Sequence, residues 1–177
     1  MRASERRFDL KITDIYEQCS ADYDKDAEVT KRFFQTVQNK LHWAVTGKTA
    51  AEIITERADA SKPSMGLTTW KNGPAGKILE SDVAVAKNYL IEKEIEELER
   101  IVGMYLDYAE NQARRERLMK MADWVARLDA FLRFNEYDVL THAEKVSAEV
   151  ARQLAEEHYV AFRVQQDRRF ESDFERR

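Results

Sequence analysis

Hydrophobic side chains recur every three or four residues along most of this sequence, which is the spacing of one face of an α-helix. The clearest series alternates steps of four and three and consists of Ile91, Ile95, Leu98, Val102, Tyr105 and Ala109. Such a series forms a seam along which a helix packs lengthwise on a partner. We therefore predict a long central helix near 91–113.

The same periodicity predicts two helices that meet near residue 48. The first runs over 29–45 and ends at Gly47, because glycine readily takes the left-handed conformation found at helix C-termini. Thr49 and Glu52 then have the spacing of a capping box, in which each side chain satisfies a free backbone N–H of a new helix.

Helices are also expected at both ends of the chain. Residues 1–24 carry an N-terminal helix, and another helix follows the polar stretch 111–120. Ser147 can cap the last helix. Its inward face is predicted to contain Val150, Leu154, His158, Ala161 and Phe162. Residues 163–177 lose the apolar spacing and are expected to form a tail or a frayed helix end.

The segment 61–77 is rich in turn residues and contains both prolines of the chain. Met65, Leu67 and Trp70 are embedded in it, so we expect this long loop to be pinned to the core or to line a cleft. Ser81 can cap a short helix that follows the loop.

Composition supports an all-α fold. The chain has 177 residues, of which 44% are hydrophobic and 35% charged, a balance typical of helices with one apolar stripe and a charged outer face. We predict a single helical domain over 1–177, a compact multi-helix bundle of about six to seven helices.

The charge and the cysteine content of the chain limit its expected cellular location and its expected classes of binding partner. The formal net charge of -4 argues against the strongly basic surface that non-specific nucleic-acid binding needs. The lone Cys19 cannot form an internal disulfide, and no stretch is long and apolar enough to span a membrane. These features predict a cytoplasmic protein without a membrane partner.

Histidines offer the first candidate chemistry. The three His residues show no metal-binding spacing, so we predict no metal site. His42 is the best candidate for a general base, because it lies one turn before a helix end, where the helix dipole affects its titration. The alternative is an ordinary packed helix residue.

Charged residues on the central helix offer a second candidate. Asp107 and Glu110 are one turn apart and could hold a cation or act as an acid and a base. The alternative is a solvated face in which one of them pairs with Arg114. Arg114, Arg115 and Arg117 also begin a local basic stretch that could contact phosphates.

Uninterrupted segments along nearly the whole chain resemble a known family. They are RASERRF at 2–8, KITDIY at 11–16, VQNKLHWAVTGKTAAE at 37–52, RADA at 57–60, MGLTTW at 65–70, SDVAVAKNYL at 81–90, MYLDYAENQA at 104–113 and LDAFLRFN at 128–135. These segments are similar to the RhuM virulence-associated family of bacterial proteins.

The resemblance implies a place in a longer protein. The chain would be the C-terminal domain, beginning inside a helix, without the N-terminal part that resembles phage-type DNA-binding regions. It departs from the family pattern at Glu144, where a glycine is expected before Lys145, which puts a tight turn there in doubt. The resemblance implies a genomic context more than a reaction.

The matching segments contain more polar residues than a hydrophobic core without a functional site would require. If the helices bring them near the 65–70 segment, they would form a polar pocket. Its candidate catalytic residues are His42, Glu52, Asp107 and Glu110, and its candidate ligand-binding residues are Arg57, Lys87, Asn88 and Trp70.

Three hypotheses follow from these features, and no cofactor is identified by any of them. The leading one is an accessory or effector module that binds a protein partner, a ligand or nucleic acid beside a DNA-binding-like region. The second is a hydrolase or transferase acting on nucleotides or nucleic acid, with His42 as base and the carboxylates in support. The third is a homo-oligomerisation bundle that uses the 91–109 seam.

Overall fold

In a computed structural model of the protein, the described residues are Asp14, Tyr16, Glu17 and the ranges 22–24, 28–142 and 145–175. The ranges 28–142 and 145–175 contain six α-helices, which are α1 (Glu28–Thr46), α2 (Ala50–Arg57), α3 (Glu80–Val83), α4 (Glu92–Arg114), α5 (Met121–Phe134) and α6 (Ala148–Glu175). Two 3₁₀ helices span Pro63–Gly66 and Ala86–Tyr89. No β-strand occurs in the described ranges, and the predicted all-α fold is confirmed.

The helices group into two compact units, each made from two stretches of chain. Unit 1 consists of Met1–Gly47 and Lys93–His142. Unit 2 consists of Lys48–Glu92 and Ala143–Arg177. The assignment of one domain over 1–177 stays a prediction.

Aromatic rings form the centre of unit 1. The Tyr16 ring lies 5.2 Å from the Phe33 ring and 5.1 Å from the Trp124 ring, measured between centroids. Tyr105, on α4, shares a hydroxyl contact of 3.2 Å with Tyr16 and packs edge-on against Phe131. Large rings bury much apolar area per residue, so this cluster holds α1, α4 and α5 together.

A partly buried ion pair adds a polar tie inside unit 1. The ammonium group of Lys40, on α1, lies 2.8 Å from the carboxylate of Asp129, on α5. The same ammonium donates a hydrogen bond of 2.9 Å to the backbone carbonyl of Leu140. Because a buried ammonium needs its donors satisfied, this arrangement orients α1, α5 and the segment after α5.

The central helix agrees with its prediction, with two corrections. α4 runs from Glu92 to Arg114 and buries Ile95, Leu98, Ile101, Tyr105 and Ala109. Ile91 is exposed because it precedes the first residue of the helix and is outside its register. Val102 is half-buried, since Ile101 takes the inward position.

The predicted helix boundaries near residue 48 are also confirmed. Gly47 has a positive φ of 71°, and its N–H donates to the carbonyl of Trp43 at 2.8 Å, which closes the last turn of α1. Thr49 caps α2, because its hydroxyl oxygen accepts the N–H of Glu52 at 3.3 Å.

The predicted cap of α3 was wrong. Ser81 lies inside α3, and the N-cap is Leu79, whose N–H donates to the carboxylate of Asp82 at 2.8 Å. A buried carboxylate is the stronger acceptor, so it sets the start of the helix. The predicted N-terminal helix over 1–24 lies mostly outside the described residues, as does Glu144.

The helix α6 packs in unit 2 with a buried face that shares only Phe162 with the predicted one. Ser147 accepts the N–H of Val150 at 3.2 Å, as a cap would. Val150 itself is exposed, and the buried positions are Ala151, Ala155, Tyr159, Phe162 and Gln166. The segment expected as a tail or frayed end at 163–177 is part of this helix as far as Glu175.

Candidate functional site

Residues 61–79, called the 61–79 loop below, are held in unit 2 by a buried carboxylate. Asp82 accepts the N–H of Lys71 at 3.2 Å and the N–H of Leu79 at 2.8 Å. One side chain therefore ties together the two ends of the segment 71–79. Hydrogen bonds to a charged acceptor are stronger than neutral ones, so this contact restrains the loop more than an ordinary turn does.

The indole of Trp70 closes the turn at the tip of the loop. Its Nε1–H donates to the carbonyl of Gly76 at 2.8 Å. A Cβ on Gly73 would lie 2.8 Å from the indole ring, so only glycine allows the ring to lie this close to the backbone. Because the indole N–H is already engaged, the ring offers a ligand only apolar contact and its π face.

The first part of the loop lies against the end of α2. Met65 is fully buried although its φ is 59°, a left-handed conformation that is unfavourable for a long side chain. A Cβ on Gly66 would lie 2.2 Å from the carbonyl oxygen of Arg57, so the backbones can approach this closely only at a glycine. The prediction that this loop is pinned to the core is therefore confirmed.

The last part of the loop is tied to α6. The side-chain amide of Gln166 accepts the N–H of Ile78 at 2.8 Å and donates to its carbonyl at 3.0 Å. The Tyr159 hydroxyl donates to the same carbonyl at 3.2 Å, and burial raises the pKa of this tyrosine. These bonds give both the N–H and the C=O of Ile78 a hydrogen-bond partner, as pairing with a neighbouring β-strand would.

A charged contact lies next to this tie. The ammonium of Lys77 lies 2.9 Å from the carboxylate of Asp167 and 5.3 Å from the centre of the Phe170 ring. The hydrogen bond from Lys77 holds the pKa of Asp167 below its ordinary value of 3.8. Both side chains are partly exposed, so the pair contributes less than a buried one would.

The loop and α6 together enclose a cleft of about 450 Å³ in unit 2. Its aromatic lining comes from Trp70, Phe162 and Phe170. Its polar lining includes Gln165, Arg169 and Asp173, for which the described part of the chain provides no hydrogen-bond or ion-pair partner. The cleft thus combines apolar surface with polar groups that are available to a ligand.

The four candidate catalytic residues do not line this cleft. In unit 1, His42 is buried on α1, where its Nδ1–H donates to the carbonyl of Gln38 at 2.7 Å. Asp107 is exposed and Glu110 half-buried on α4. Glu52 is half-buried on α2, in unit 2. Their catalytic role, and with it the enzyme hypothesis, stays a prediction.

The four candidate ligand-binding residues all belong to unit 2, but only Trp70 lines the cleft. Arg57 donates to the carbonyl of Tyr89 at 2.9 Å. Asn88 donates to the carbonyl of Asp82 at 2.9 Å and accepts from the Thr69 hydroxyl at 3.2 Å. Both side chains are therefore bonded to groups within unit 2, and Asn88 is bonded to Thr69 of the 61–79 loop.

The remaining predicted site residues are near the surface. Lys87 is half-buried in the second 3₁₀ helix. Arg114, Arg115 and Arg117 are exposed at and after the end of α4, and Arg114 donates to the side-chain carbonyl of Asn111 at 2.9 Å. Exposure is what phosphate contacts would need, and the nucleic-acid role of these arginines stays a prediction.

Sequence reasoning missed the α6 side of the cleft. Gln165, Arg169 and Phe170 lie in the segment that was expected to be a tail. The signal that could have found them is the step of four from Phe162 to Gln166 and on to Phe170, which continues a helical face. Gln166 is polar and lies between the two phenylalanines, so it interrupts the apolar periodicity of that face.

The described ranges contain neither a candidate metal site nor a candidate membrane-spanning helix. Within them, His, Cys, Asp and Glu side chains form no group of three or more that could hold a metal ion. Among the same residues, no helix combines the length and apolar character that a membrane crossing needs.

Comparison with known proteins places the chain in one family. The sequence model of the virulence protein RhuM family matches residues 1–171. No curated protein and no solved structure matches the chain. Since the family match covers nearly the whole sequence, the chain belongs to the virulence protein RhuM family.

Proposed function

We propose that this RhuM-family chain is a binding module and that the cleft between the 61–79 loop and α6 is its recognition site. The observation that supports this proposal is the pairing of an aromatic lining with Arg169, which has no ion-pair partner among the described residues. Such a cleft fits a ligand with a planar ring and one anionic group.

The aromatic lining selects the planar part of the ligand. Trp70, Phe162 and Phe170 offer apolar surface, and the indole N–H of Trp70 is already bonded to Gly76. Stacking on aromatic rings tolerates any nucleobase, because every base has a π face. A base is also a good partner for the free side-chain amide of Gln165, which can both donate and accept.

The charged groups select the anionic part. A guanidinium such as that of Arg169 binds phosphate oxygens through two parallel hydrogen bonds. Asp173 lines the same cleft and would repel a second negative group nearby. The ligand is therefore a mononucleotide unit with one phosphate, supplied either as a free nucleoside monophosphate or within a single-stranded nucleic acid.

Fluorescence titration tests this proposal. Trp70 lies in the cleft, whereas Trp43 and Trp124 belong to unit 1, so a ligand in the cleft changes mainly the Trp70 signal. The probes are nucleoside monophosphates, short single-stranded DNA and RNA, and N-acetylphenylalanine as an aromatic carboxylate without a base. Stronger binding of the oligonucleotides than of the monophosphates identifies the strand as the source of the ligand.

Neighbouring arginines provide a matched pair of variants. Arg169→Gln should weaken nucleotide binding about tenfold or more, since a hydrogen bond to a charged group contributes about 1.5–3 kcal/mol. Arg168→Gln removes the same charge one residue away, outside the cleft, and should leave the binding of nucleoside monophosphates unchanged. Equal loss in both variants, no binding, or tighter binding of N-acetylphenylalanine would overturn the nucleotide proposal.

A further inference from the structure

The helix α6 has a second apolar face that no described residue covers. Val150, Val160 and Val164 are 54%, 69% and 52% exposed. At about 3.6 residues per turn they fall on one side of the helix, away from the buried positions Ala151, Ala155 and Tyr159. The helix therefore presents apolar side chains in two opposite directions.

Exposed valines are a poor choice for a solvated helix face. Valine has a lower helix propensity than Ala, Glu or Lys, because its branched side chain loses rotamer freedom against the preceding turn. At positions that only face water, this cost brings no gain from burial. Val160 and Val164 are one turn apart in the middle of α6. Burial of their side chains against another surface would offset the unfavourable helix propensity of valine.

Two opposite charges flank this pair of valines. Glu157 lies three residues before Val160, and Arg168 lies four residues after Val164, so all four side chains share one face. Glu157 and Arg168 are exposed and have no ion-pair partner among the residues that the structure describes. We call Glu157, Val160, Val164 and Arg168 the valine face.

The order of these residues is self-complementary. The two valines and the two charges are both centred close to residue 162. If two copies of the helix run antiparallel across a twofold axis there, Val160 of each copy meets Val164 of the other, and Glu157 meets Arg168. A parallel arrangement would instead place Glu157 against Glu157 and Arg168 against Arg168, which is repulsive.

We propose that the valine face pairs two copies of this chain, with their α6 helices antiparallel. The pairing is independent of the proposed nucleotide site, because Phe162, Gln166 and Arg169 line the cleft from the other side of the helix. Both clefts stay open in the pair. The proposal differs from the oligomer predicted from sequence, whose 91–109 seam is largely buried within unit 1.

Charge exchange provides the test, with molar mass measured by sedimentation equilibrium over a wide range of protein concentration. The parent chain should self-associate. Glu157→Lys and Arg168→Glu should each weaken self-association about tenfold or more, since each places like charges opposite one another. An equal mixture of the two variants should associate again, because each introduced side chain then meets an opposite charge on the other copy.

Two further variants separate pairing from folding. Val160→Asp should abolish self-association while circular dichroism stays that of the parent, since the position is exposed. Glu96→Lys makes the same charge change as Glu157→Lys at an exposed position of α4 and should leave the molar mass unchanged. A monomeric parent at every concentration, a dimer that survives both charge variants, or a mixture of variants that stays monomeric would overturn the proposal.

Discussion

The aromatic cluster of unit 1 and the 61–79 loop of unit 2 are stabilised by different kinds of contact. Unit 1 is held by packed rings such as Tyr16 and Trp124, which are both fully buried. The 61–79 loop of unit 2 is held by polar side chains that bond to backbone groups, above all Asp82 and Gln166. Packing needs only apolar residues at the right spacing, whereas the loop needs individual donors and acceptors at individual positions.

The two long helices show the same difference. α4 has one apolar seam, so its periodicity indicated its buried face at four of the six predicted positions. α6 has apolar residues on opposite faces, so the positions Val150 and Tyr159 could not be ranked by hydrophobicity alone. A single apolar stripe predicts orientation, and two stripes leave it open.

The largest expected effect is on the core of unit 1. Trp124→Ala should lower the free energy of unfolding by about 3–5 kcal/mol, because it removes a fully buried ring and leaves a cavity. Urea denaturation followed by circular dichroism measures the change. Phe134→Ala, at an aromatic position in the same helix that is 87% exposed, should cost less than about 0.5 kcal/mol. Similar losses in the two variants would contradict a packing-based unit 1.

A smaller effect is expected from the anchor of the loop in unit 2. Asp82→Ala removes the acceptor of two backbone N–H groups and should cost about 2 kcal/mol, together with faster proteolysis within the segment 71–79. Asp123→Ala is the control, because Asp123 accepts only one N–H, that of Lys120, at an exposed helix start.

The control should cost about 0.5–1 kcal/mol, the usual contribution of an exposed helix cap. If Asp82→Ala leaves both stability and the rate of proteolysis unchanged, the 61–79 loop is held by something other than its polar anchor. The aromatic cluster and the loop would then not differ in the kind of contact that holds them.

The smallest effect concerns the pair of Lys77 and Asp167. Because the pKa of Asp167 is lowered in the folded protein, the unfolded chain binds this proton more readily. The contribution of Asp167 to stability is therefore present above the ordinary carboxyl pKa and is lost as the pH falls through the folded value. Asp167→Asn removes it at every pH.

Thermal unfolding of parent and Asp167→Asn between about pH 6 and pH 3 checks this expectation. The parent should be slightly more stable at the upper end of that range, and the difference should shrink toward the lower end. High salt should also reduce the difference, since both side chains are partly exposed. A difference that grows as the pH falls would have the wrong sign.

The helical fold and several of the helix ends follow from the amino-acid sequence alone. The periodicity of the 91–109 seam, the conformation available to Gly47 and the capping hydroxyl of Thr49 are local properties, which depend on residues within one or two turns. Met65, Leu67 and Trp70 within the segment 61–77 also indicated that it would be anchored or line a cleft. These expectations required no knowledge of distant residues.

The position of the cleft and the residues that line it depend on contacts between segments that are distant in the sequence. Gln166 and Ile78 are 88 residues apart in the chain, and their paired hydrogen bonds cannot be read from either segment alone. For the same reason the partners of Arg57 and Asn88 could not be predicted: Arg57 donates to the backbone carbonyl of Tyr89, and Asn88 donates to that of Asp82. A polar residue in a sequence indicates that it needs a partner, and only the folded chain determines which partner it has.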